Sequence, residues 1–172
     1  METDSSQNRT FRQHVNLEFE LRFLRVRGGE FQDLFAELMK NACPGDFRRV
    51  RAHGNAGDFK CDGYWESKRT VFQAYGPGEI RSVAKLLKKI DDDFNGATAY
   101  WAGRMERWIF VHNSRQGLPP QAVQKLSDLR NRHGGVTVDF WGYEELHQVL
   151  LTISPERLCA MFPLAELSEL SA

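Results

Sequence analysis

Asp62 and Gln73 are the residues whose types and spacing offer the most chemistry. Asp62 opens an Asp-Gly turn that leads into Tyr64-Trp65, a polar stretch from Glu66 to Arg69, and an apolar run from Val71 to Tyr75 with Gln73 at its centre. A β-hairpin built on this pattern sets an acid and an amide side by side at one sheet edge, giving two oxygen donors of the kind hard divalent cations need. Metal-assisted phosphodiester hydrolysis requires groups that hold Mg²⁺ and an activated water. It also usually requires a lysine that orients the water or stabilises the developing charge. Each residue has an ordinary reading as well. Asp62 serves equally as a turn residue. Gln73 either faces a site or is exposed on the other face of the sheet, because pointing inward without a partner costs about 1–3 kcal/mol.

The elements that must position these two residues read as an α/β alternation. Residues 1–10 are polar and are expected to form a disordered tail, leaving 11–172 as a single domain. Val15, Leu17, Phe19, Leu21 and Phe23 alternate as in a strand, while Leu17, Leu21 and Leu24 fit one helical face, and periodicity leaves both open. Phe31, Leu34, Phe35, Leu38 and Met39 predict an amphipathic helix ending at Cys43-Pro44-Gly45, and a strand is expected over Phe47 to His53. After Gly76-Pro77-Gly78, the residues Ile80, Val83, Leu86, Leu87 and Ile90 trace a second helix with Lys85, Lys88 and Lys89 on its polar side. The run Asp91-Asp92-Asp93-Phe94-Asn95-Gly96 either ends that helix or continues it toward Trp101. Trp108 to Val111 reads as a buried central strand. A helix from Pro119-Pro120, a strand over Val136 to Trp141, a helix over Tyr143 to Ile153 and a short helix from Pro155 complete the chain. Alternation of this kind implies a mixed central β-sheet flanked by helices on both faces.

Composition narrows the function classes. Lys plus Arg and Asp plus Glu number 23 each, so no global field draws in nucleic acid and any basic surface is local. Arg48, Arg49, Arg51 and His53 share one strand, and Lys68-Arg69 cap the hairpin turn. Such residues neutralise phosphates and position a duplex, or simply charge an edge strand against aggregation. No apolar run reaches the length of a membrane span and the first residues lack a signal-peptide layout, so a cytoplasmic protein is expected. The three cysteines, Cys43, Cys61 and Cys159, have no Cys-x-x-Cys spacing, and buried reduced thiols are expected of them rather than zinc or a disulfide.

The Asp62-Gly63 turn followed by Gln73 on the next strand resembles the PD-(D/E)xK nuclease superfamily, and within it the Mrr-type restriction-endonuclease-like domains. The resemblance covers roughly residues 17–150. It implies a restriction-endonuclease-like fold and a Mg²⁺- or Mn²⁺-dependent DNA endonuclease of bacterial anti-phage defence, acting as a homodimer or as a subunit of a multi-protein complex. Asp62, Gln73 and the first-helix Glu30 are the metal ligands it implies, with Asp58 similar in position to a further acid. Glu30 is equally what a helix dipole favours in a first turn. The chain departs from the pattern at Tyr75, which stands where the family places its lysine. Lys60, on the same strand face as Asp62 if that segment is extended, is the candidate replacement. The alternative is a catalytically degenerate module of the same fold that binds DNA or protein.

Overall fold

A computed structural model describes residues 2–50 and 60–163, with side chains from residue 8 onward. The described elements are α1 (Glu2–Arg25), α2 (Gly28–Ala42), β1 (Phe47–Arg49), β2 (Gly63–Trp65), β3 (Thr70–Tyr75), α3 (Val83–Tyr100), β4 (Arg107–His112), α4 (Pro120–Arg132), β5 (Thr137–Trp141), α5 (Tyr143–Leu151) and α6 (Pro155–Met161). The strands form one mixed sheet in the order β1-β2-β3-β4-β5. A short polar turn joins β2 to β3, so these strands and β1 pair antiparallel. Helical crossovers return the chain to the same end between β3, β4 and β5, which makes those pairings parallel. The α/β class with a mixed sheet is thus as expected.

Two apolar layers cover the sheet. Phe72, Ala74, Ile109 and Val111 pack against α1, α2 and α5 on one face. Val71, Trp108, Phe110 and Val138 pack against α3 and α4 on the other. Strand β4 lies inside the sheet and is buried from Trp108 to His112, which explains its unbroken apolar run.

The ambiguous N-terminal segment is helical. Val15, Phe19 and Phe23 are buried in one stripe of α1, whereas Leu17 is 55% exposed. A spacing of four satisfies both a period of two and a period of 3.6, which is why the sequence left strand and helix open. Helix α1 also takes in residues 2–10, which were expected to form a tail. They contain no Gly or Pro, and extending an established helix is easy compared with starting one. Strand β1 is shorter than expected and ends at Arg49. Arg51, His53 and Asp58 lie outside the described residues.

Helix α3 runs through the acidic triplet because each aspartate meets a lysine. Asp91 pairs with Lys125 of α4 at 2.5 Å and Asp92 with Lys88 at 2.6 Å. Asp93, 2% exposed, lies between Lys89 at 2.7 Å and Lys60 at 3.3 Å. Asp46, just before β1, accepts from Trp65 Nε1 and from the Ser67 amide and hydroxyl, tying the hairpin turn to β1. Of the cysteines only Cys61 is buried. Cys43 is half-buried and Cys159 is exposed on the short helix α6, which packs Leu158 and Met161 inward, with Phe162 just beyond its end. Among the described residues no helix is long and apolar enough to cross a membrane.

Candidate metal centre at the hairpin edge

Strand β3 presents Phe72 and Ala74 to one layer and Val71 and Tyr75 to the other, so Gln73 faces α3. Asp62 immediately precedes β2, and its amide donates to Phe72 O at 2.8 Å. In a continued antiparallel ladder, the Ala74 amide would next find a backbone carbonyl two residues before Asp62. The chain instead turns at Lys60, which has a φ of 55°, and the Asp62 carboxylate takes that carbonyl's place. Its Oδ2 accepts from the Ala74 amide at 2.7 Å and from Gln73 Nε2 at 2.8 Å.

Asp62 and Gln73 are 7% and 4% exposed, which removes the reading of Gln73 as a solvent-facing amide. Gln73 turns its NH₂ toward Asp62, donating from Nε2, and its Oε1 away. That Oε1 is buried and has no hydrogen-bond partner among the described residues. An orphaned acceptor of this kind costs about 1–3 kcal/mol, and the described residues leave that oxygen open to a donor or a cation.

The position expected to carry lysine is filled by the Tyr75 ring, tilted against Phe110 with centroids 5.9 Å apart. Above that ring, 5.4 Å from its centroid, lies Nζ of Lys89 from α3. Lys89 is anchored there by its contact with Asp93. Lys60 does not lie on an extended strand beside Asp62. Its backbone is in the left-handed region and its side chain crosses α3 where a Cβ on Gly96 would overlap Lys60 Cγ, carrying Nζ to Asp93. The two lysines thus converge on one buried carboxylate. The sequence singled out Lys60 and missed Lys89, whose signal was its spacing of four from Asp93 on a helix.

Glu30 is exposed in the first turn of α2. The start of that helix is fastened to the end of β3 by Gly28 N donating to Gly76 O at 2.8 Å, which puts Glu30 beyond Tyr75 along the strand. The basic residues proposed for DNA are mostly paired: Arg48 with Glu66 at 2.9 Å, Arg49 with Asp33, and Arg69 with Glu106 at 2.9 Å. Lys68 is exposed at the hairpin turn. Beside Tyr75, in register on β4, sits buried His112, whose Nδ1 accepts from the Ser114 amide at 3.2 Å. Burial lowers its pKa to about 4 against a smaller opposing effect of Glu145, so the imidazole is neutral at pH 7.

Comparisons of the chain with family models, curated proteins and solved structures give no match. Among the described residues no cluster of three or more His, Cys, Asp or Glu side chains is arranged to hold a metal. One carboxylate and one amide oxygen nevertheless suit Mg²⁺ or Mn²⁺, since Mg²⁺ is commonly held by one or two carboxylates while keeping several waters and taking substrate phosphates.

Proposed function

We propose that the chain is a divalent-metal-dependent endonuclease of the restriction-endonuclease-like class, cutting phosphodiesters in DNA, as the resemblance implies for a bacterial anti-phage protein. The observation that carries this reading is the buried Gln73 Oε1, an acceptor without a partner among the described residues, on the same side chain whose Nε2 donates to the Asp62 carboxylate. Asp62 and Gln73 would hold Mg²⁺ or Mn²⁺, which when bound acidifies water and neutralises phosphate charge. The Ala74 amide fixes the Asp62 carboxylate, and the hairpin keeps both ligands rigid. Lys89 supplies the ammonium that Tyr75 lacks, approaching from the helix instead of the strand, and its ion pair with Asp93 keeps it in place. The test is metal-dependent nicking of plasmid DNA by the wild type against Asp62→Asn, a variant that retains an acceptor for the Ala74 amide.

A second reading is favoured by two observations: Asp62 Oδ2 already accepts two hydrogen bonds, and a tyrosine stands at the lysine position. On that reading the hairpin edge is a structural latch and the domain binds DNA or protein without cutting. Binding that is independent of metal and unchanged in Asp62→Asn distinguishes it.

A further inference from the structure

We propose that the cleft between the loops following β3 and β4 is a binding site for a phosphate-type anion, separate from the Asp62–Gln73 edge. The cleft holds about 450 Å³ and is lined by Arg27, Gly78, Glu79, Ser114 and Arg115, among others. That volume is within the usual range for small-molecule sites. Its two guanidiniums meet at one atom. Arg27 Nη1 and Arg115 Nη2 both donate to Leu24 O, at 2.8 and 3.0 Å, and Arg27 Nη1 also donates to Val26 O at 2.6 Å. Neither arginine forms an ion pair among the described residues, although Glu79 lies on the same wall. The end of α1 that accepts from them carries roughly half an elementary negative charge, too little to balance two cations brought to one oxygen. Their remaining N–H groups have no protein acceptor among the described residues. A tetrahedral anion bridging the two forks satisfies both the charge and the donors.

The walls are preorganised for this. Asn113, fully buried, accepts from the Gly78 amide at 2.9 Å and donates to Val26 O at 2.7 Å, so one side chain joins the β3 loop, the β4 loop and the end of α1. The Arg115 amide donates to Gly78 O at 3.1 Å. Gly78 has a φ of 64°, and a Cβ there would overlap the Arg27 guanidinium, so the glycine lets that group lie flat on the loop.

Calorimetric titration with inorganic pyrophosphate, and separately with a DNA duplex in metal-free buffer, tests the site. Arg115 is exposed, so Arg115→Glu leaves the core intact, and Arg132→Glu on the far end of α4 controls for general charge. Binding of pyrophosphate that Arg115→Glu weakens roughly tenfold or more, with Arg132→Glu and Asp62→Asn unaffected, supports the proposal with a small phosphate as ligand. Binding of duplex alone, weakened more by Arg115→Glu than by Arg132→Glu, supports it with a backbone phosphate as ligand. Absence of both, or equal loss in the two arginine variants, overturns it. Because Asp62→Asn is a neutral control here, failure of the cleft and failure of the metal centre are distinguishable.

Discussion

Lys89 lies 5.4 Å above the ring centroid of Tyr75, so a cation from helix α3 covers the strand position at which the sequence pattern leads one to expect a lysine. The pair places an ammonium over the residue two positions beyond Gln73 on the same face of β3. Cleavage should therefore depend on Lys89 more than on Lys60. Lys89→Gln is expected to reduce metal-dependent nicking roughly 100-fold or more while leaving DNA binding in place, and Lys60→Gln by less than about tenfold. The reverse order in a plasmid nicking assay returns the role to Lys60.

The shared acid makes a stability prediction independent of activity. With Asp93 held by both lysines, either alone can keep it paired. Lys60→Met and Lys89→Met are each expected to cost under about 1.5 kcal/mol, and the double variant more than their sum, because it leaves a buried carboxylate unpaired. Urea unfolding of the four proteins reads this coupling directly, and simple additivity contradicts it.

Acid stability should carry the signature of His112. Its folded pKa is lowered by burial from 6.5 to about 4, so between these values the unfolded chain binds a proton that the folded chain does not. Stability from this group is complete above about pH 6.5, falls as the pH drops, and by about pH 4 has decreased by about 3 kcal/mol. His112→Asn keeps an acceptor for the Ser114 amide but does not titrate. Its unfolding free energy should fall less than that of the wild type between pH 7 and 4.5, and parallel losses would remove the assignment.

How much of this was legible beforehand depended on whether the signal was local. The adjacency of Asp62 and Gln73 follows from two short strands and a polar turn, and the hairpin delivers it at 2.8 Å. The burial of Gln73 was not decidable, since alternation gives either face. Only the packing of α3 over Val71 and Tyr75 settled it. Lys60 misled because a strand face was inferred through a residue whose backbone turns left-handed. Lys89 was invisible as a partner of Tyr75, since their approach depends on how a crossover helix lies on the sheet. The N-terminal helix was ambiguous for a simpler reason: Val15, Phe19 and Phe23 are spaced by a number common to both periodicities.

Charge at the hairpin edge offers another handle. Gln73→Glu places two carboxylates together in a buried site, where like charges repel. The metal-free variant is expected to melt several degrees below the wild type at pH 7 and to regain most of that loss in millimolar Mn²⁺, with a larger metal-induced rise than the wild type shows. A variant insensitive to Mn²⁺ contradicts a cation site at this position.

The most direct test of the Asp62–Gln73 centre is the Mn²⁺ dependence of melting temperature in the wild type and in Asp62→Asn, read beside plasmid nicking in the same buffers. A site built from these two oxygens predicts a concentration-dependent rise in the wild type, most of which is lost in Asp62→Asn, together with loss of nicking. Equal rises in the two proteins, or nicking that survives Asp62→Asn, would contradict it.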